Sequence, residues 1–150
     1  MSTILTLPRS FGSTLVQVSK ETPPLQNIPS GSFTLVTMNT IISDAGSNWD
    51  AAQNNYVVPS AGLYQITGSL RTEDVQSSGI QFGLGVHTSN SDGTWFLWHA
   101  VQTTINPEHR TTYPYIRTGT FAAGDRLRMF TYSDQGYLCS SVVLNIFRVA

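Results

Sequence analysis

Three histidines, one cysteine and a handful of carboxylates are the first side chains of this 150-residue chain to weigh for catalytic or metal-binding chemistry. His87, His99 and His109 are scattered, with no ligand spacing between them, so each reads as a hydrogen-bonded strand or loop residue rather than a base or a zinc ligand. Glu73 and Asp74 are adjacent, and neighbours on a strand point to opposite faces, which makes them poor partners for glycoside chemistry. Asp44 and Asp50 lie on one loop, but two carboxylates are thin provision for a hard cation that takes about six to eight oxygens. Cys139 has no histidine or other base nearby in sequence, so it reads as a small buried residue and not as a nucleophile. No nucleophile elbow, phosphate loop or metalloprotease motif occurs. A non-enzymatic protein with no cofactor and no metal is expected.

Large rings are the other conspicuous resource. Trp95, Phe96 and Trp98 fall within four residues, so both faces of one strand carry aromatics. One face fills a core. The other is either covered by a loop or offers a surface on which a sugar could stack.

The bulk numbers narrow the partners. Charged residues make up 11% of the chain, well under the roughly 25% of ordinary soluble domains. The net charge of −1 and a pI near 6.2 leave no footprint for nucleic acid or an anionic membrane. No apolar run approaches the ~20 residues of a membrane-spanning helix. With one cysteine and no basic, then apolar, opening segment, synthesis in a reducing cytosol is expected.

The elements that must position these groups are strands. Tyr56-Val57-Val58 is β-branched and is broken by Pro59-Ser60-Ala61-Gly62. Beyond the break Tyr64, Ile66, Gly68 and Leu70 alternate with Gln65, Thr67, Ser69 and Arg71, the period of a half-buried strand. Strands are also expected at 33–39, 79–88, 95–104, 111–121, 126–132 and 140–149, with turns at 89–93, 106–108 and 134–136. Pro114 gives the 111–121 strand a bulge or an edge position. The last strand is apolar on both faces, Val142, Leu144 and Ile146 against Val143, Phe147 and Val149, which marks a central place in a sheet. Tyr64, Ile66, Leu84, Leu127 and Leu144 are the expected core.

Residues 1–30 read differently. Ile4, Leu7, Phe11 and Val16 are apolar anchors, while Pro8, Pro23, Pro24 and Pro29 favour an extended path. Residues 14–18 could form a strand, and the plainer alternative is a first strand and loop folded on the main domain. The expected division is an N-terminal arm over 1–30 and a globular domain over 31–150.

Two stretches carry a resemblance. Tyr56-Val57-Val58-Pro59 followed by Gly62-Leu63-Tyr64-Gln65-Ile66, and Ala122-Ala123-Gly124-Asp125 ahead of a strand, are similar to the signature of complement C1q globular heads, relatives of the tumour necrosis factors. The resemblance covers about residues 31–150. It implies an all-β, two-sheet jelly-roll sandwich whose inner sheet lines the threefold axis of a homotrimer. Tyr113, Tyr115, Phe147 and Val149 are the expected trimer interface. Phage virions reuse this head, so the leading expectation is a trimeric capsid decoration (cement) protein. Such a protein is made in the host cytoplasm and docks on the major capsid protein through Ile4, Leu7, Phe11 and Val16. The alternatives are a fibre tip that recognises a host surface glycan and a secreted complement- or cytokine-like ligand.

Overall fold

The computed structural model describes residues 14–20, 24–73, 79–87, 94–102 and 111–149, of which 79, 94–102, 111 and 113 are described as backbone. Two sheets pack face to face, and no helix occurs among the described residues. Sheet A has the order β10-β7-β12-β1-β4, from β10 (Thr111–Phe121), β7 (Gly62–Glu73), β12 (Tyr137–Arg148), β1 (Thr14–Lys20) and β4 (Thr40–Asp44). A short β2 (Gln26–Ile28) also pairs with β12. Sheet B has the order β5-β6-β11-β8-β9, from β5 (Trp49–Asp50), β6 (Asn55–Val57), β11 (Arg126–Ser133), β8 (Gly79–His87) and β9 (Thr94–Gln102), with β3 (Thr34–Leu35) also on β11. All pairings are antiparallel. The architecture is the expected jelly-roll sandwich.

Alternation builds the core. On β7, Tyr64, Ile66, Leu70 and Thr72 are buried, and on β11 Leu127, Met129, Thr131 and Ser133. With Val142, Leu144 and Ile146 of β12 and Phe82, Leu84 and Val86 of β8 they fill the space between the sheets. The five expected core residues are all there. Gly68 is required by backbone proximity, since a Cβ at that position would sit 2.7 Å from the Val143 carbonyl oxygen on β12. Its missing side chain also leaves core space for its other cross-strand partner, Tyr115 of β10.

The two motif stretches meet in space. The Val58 N–H donates to the Asp125 carbonyl and the Gly124 N–H donates to the Val58 carbonyl, both at 2.8 Å. Gly124 takes the left-handed conformation the turn needs, at φ 86°, and the buried Asp125 carboxylate accepts the Ala122 N–H at 2.8 Å. The Tyr64 hydroxyl donates to the Ser60 carbonyl at 2.6 Å and its ring lies 6.1 Å from that of Phe121. Each motif therefore holds the turn of the other.

The N-terminal expectation needs correction. β1 is an interior strand of sheet A, between β12 and β4, and β2 pairs with β12. Val16 and Val18 are fully buried. The sandwich therefore begins well before Gly31, and Val16 is a core residue rather than part of a docking arm. The proline-rich stretch is tied down by polar side chains. The buried Lys20 donates its ammonium to the Pro24 carbonyl, and Gln26 donates to the Leu35 carbonyl at 2.7 Å while accepting the Thr37 N–H at 3.1 Å. The strand expected over 33–39 is reduced to Thr34 and Leu35, and an unforeseen strand, β4, follows it. The expected turns at 89–93 and 106–108 lie outside the described residues.

Candidate functional site

Among the described residues, nothing in the interior converges on chemistry. The Asp44 carboxylate accepts the N–H groups of Asn48 (3.0 Å) and Trp49 (2.8 Å), and Asp50 accepts that of Gln53 at 3.0 Å. Both acids close their own loops and leave no shared oxygen cage. Among the described residues no three His, Cys, Asp or Glu side chains come together. Glu73 lies 3.9 Å from Arg71 on the outside of sheet A, and His87 is half-buried on β8. Asp74, His109 and the side chain of His99 lie outside the described residues. Cys139 is fully buried, and burial pushes its thiol up to about 12, with Lys20 nearby pulling slightly the other way. A neutral, enclosed thiol is a packing group, not a nucleophile.

The outward face of sheet A is the notable surface. Cross-strand register sets out three transverse rows. One runs Ile116–Thr67–Asn145–Gln17–Ser43 across all five strands. A second runs Pro114–Ser69–Val143–Ser19–Thr40, and a third Thr118–Gln65–Phe147. None of these side chains carries a charge. Ile116 is 65% exposed, and Phe147 is half-buried. At the centre Asn145 Nδ2 donates to Thr67 Oγ1 at 3.4 Å, tying β12 to β7. Ser19 Oγ is buried there with no hydrogen-bond partner. The ion pair of Arg71 and Glu73 stands at one end of the face, clear of the three rows. An uncharged face with an exposed aliphatic has no charge to strip of water when it is covered, and it shares with the cores of protein interfaces their depletion of charged residues.

The expected interface residues divide. Phe147 is on this outward face, and Val149 just beyond β12 is 49% exposed, its N–H donating to the Leu63 carbonyl at 2.8 Å. Tyr115 is not on the face. It points inward at 3% exposure, and its ring meets that of Phe82 edge-on at 5.9 Å. Burial pushes its phenol up to about 12, against a hydrogen bond to the Leu84 backbone and the nearby Arg117. Tyr113 pairs with Leu70 through its backbone, and its side chain lies outside the described residues, as do Ile4, Leu7 and Phe11. Ile116 was missed. The available signal was Pro114, which shares its phase on β10 and belongs to an edge strand with its outer side unladdered.

Comparison with known proteins adds the fold and little else. No protein-family model matches the sequence, and neither does any curated protein. Solved structures do match. The globular domain of zebrafish complement 1qA protein is 14% identical, with a TM-score of 0.65 over 90% of this chain and 96% of that one. Eiger TNF from S. frugiperda is 13% identical, with a TM-score of 0.61 over 91% of this chain and 94% of that one. Murine APRIL is 10% identical, with a TM-score of 0.65 over 89% of this chain and 98% of that one. The chain thus has the C1q/TNF-like jelly-roll fold.

Proposed function

We propose that this chain is a non-enzymatic structural module that works as a homotrimer, with the outward face of sheet A on the threefold axis. The observation that carries the reading is the run of three uncharged rows, with Ile116 65% exposed. A surface of that kind gains from burial at about 25 cal/mol per Å² of apolar area and pays no penalty for stripping water from charges. The resemblance to C1q and tumour necrosis factor heads supports the same symmetry. Phe147 and Val149 are placed in the interface with Ile116.

The setting proposed for the trimer is a virion, as a capsid decoration protein whose segment ahead of β1 docks on the major capsid protein. Ile4, Leu7 and Phe11, broken by Pro8, give that segment apolar anchors and a low cost of ordering. Three such segments on one trimer reinforce each other by effective concentration. Deletion of residues 1–13, which leaves β1 whole, tests both halves at once. The shortened protein is expected to sediment as a trimer and to fail to bind particles stripped of it. A monomer at micromolar concentration, for the intact chain, refutes the assembly. Unimpaired particle binding by the truncated trimer refutes the docking role of the segment.

A further inference from the structure

The outward face of sheet B is built from other materials. While Leu127, Met129, Thr131 and Ser133 of β11 point into the core, Arg126, Arg128, Phe130 and Tyr132 take the opposite phase. Their partners across the ladder on β8 are His87, Gly85, Gly83 and Gln81 in that order. Beside Arg128 and Phe130, then, the adjacent strand has no side chain at all. Both glycines are buried, and Arg128 Nε is itself buried without a hydrogen-bond partner, as expected for a guanidinium lying down against the sheet. Phe33, 50% exposed, places its ring 4.9 Å from that of Tyr132, tilted by 41°. Across β8 the register continues to Trp98 opposite Gly83 and Phe96 opposite Gly85. No aspartate or glutamate occupies an outward position of β8 or β11.

From these features we infer that this platform binds an acidic oligosaccharide. One face of a pyranose ring is a layer of C–H bonds, and it sits well on the negative face of an aromatic ring. Phe33 and Tyr132 supply such rings at one end of the platform. At the other end Arg126 and Arg128 supply the donors that a sugar carboxylate takes in bidentate fashion. Arg128 to Tyr132 is four residues of strand, about 13 Å, which suits more than one sugar unit. The half-exposed amide of Gln81 and the imidazole of His87 add hydrogen-bonding groups along the same strip. An extended peptide is disfavoured, because β8 and β11 are both laddered on either side and offer no free edge for strand addition. Single-stranded nucleic acid shares the chemistry of rings plus anions, but two arginines in a chain of net charge −1 are little against its repeated phosphates. The inference concerns sheet B alone and needs neither the trimer nor the virion.

Titration calorimetry of the intact chain with sialyllactose, lactose and oligothymidylate tests it. Sialyllactose is expected to bind at least about tenfold more tightly than lactose, a difference of about 1.4 kcal/mol. Arg126→Gln and Arg128→Gln are each expected to remove most of that preference, weakening sialyllactose far more than lactose. Phe33→Ala is expected to weaken both sugars. Arg126 and Phe33 are exposed, so an unchanged melting temperature in those two variants shows that the fold survives. Equal affinity for the two sugars, no detectable binding of either, tighter binding of oligothymidylate, or an acid preference that survives the double arginine variant each overturns the inference. Sedimentation of the same samples reads the assembly separately, so a monomer that still binds sialyllactose refutes the trimer and not the platform.

Discussion

Sheets A and B share one inner face and differ in their outer ones. Inside, both contribute aliphatic and aromatic side chains at every second position, from Ile66 and Leu144 on one side and Leu84 and Leu127 on the other. Outside, sheet A shows Thr67, Ser69, Gln65 and Asn145 around Ile116, Val143 and Phe147, whereas β11 of sheet B shows Arg126, Arg128, Phe130 and Tyr132. Burying the first set costs almost no charge desolvation. Burying the second costs several kcal/mol per guanidinium unless an anion meets it. The inner phase of the pattern therefore specifies the sandwich, and the outer phase specifies what each sheet can tolerate against it: a permanent neighbour on sheet A, an exchangeable anionic one on sheet B.

The sharpest way to break that contrast is to put the chemistry of one face on the other. Thr67→Arg places a cation in the middle row of sheet A, and an unpaired charge buried there is expected to cost about 3–5 kcal/mol per copy and to shift sedimentation to the monomer. Gln81→Arg makes the same change on sheet B, where the sedimentation coefficient is expected to stay put. If both variants remain trimeric, sheet A is not the threefold face. Next in size is the shared inner face. Leu127→Ala is expected to lower unfolding free energy by about 2–5 kcal/mol in urea titrations, from lost transfer energy and the cavity left behind. An unchanged midpoint would place Leu127 outside the core.

The smallest effect is a pH dependence of that interior, shared by Cys139 and Tyr115 on the sheet A side and by Tyr56 on β6 of sheet B, whose phenol is also pushed up by burial. Cys139 and Tyr115 both have their acid forms favoured by burial, with values pushed up to about 12. On unfolding, each would lose its proton at lower pH than it does when folded. Their contribution is thus complete below the ordinary thiol and phenol values, 9.0 and 10.0, and drains away as pH climbs from there towards 12. Thermal melts from pH 8 to 11 are expected to show stability falling, with a shallower fall in Cys139→Ala. A maleimide is expected to leave Cys139 unmodified at neutral pH until denaturant is added.

Much of this organisation is legible in the residues, for a local reason. Tyr64, Ile66 and Leu70 announce a half-buried strand within one window, and Gly124-Asp125 announces the turn that docks on Val58. Pro114 fits an edge strand, and β10 is one. The failures come from information held elsewhere in the chain. β1 finds its partner in residues 142–147, so nothing near Val16 separates a strand laddered on both sides from an arm. Tyr115 and Ile116 are both apolar neighbours on one strand, and the choice between them is made by Gly68, the residue opposite Tyr115, which opens core space. The outer face of sheet A is hard to read for a related reason. Threonine, serine and glutamine suit solvent and interface equally, and only register aligns them into rows.

β1 also imposes an order of events. Its ladder partners are β4, which comes soon after it, and β12, which spans Tyr137–Arg148. Thr14 waits for Phe147 and Val18 for Leu144. While the chain is being made, sheet A is a set of strands without its central member, and β7 lacks the same partner. Pairings this far apart in sequence form slowly, because the loop must close before any contact rewards it. Sheet A therefore completes only after residues 137–148 leave the ribosome, and until then β1 and β7 keep open edges that a chaperone or another nascent chain can reach.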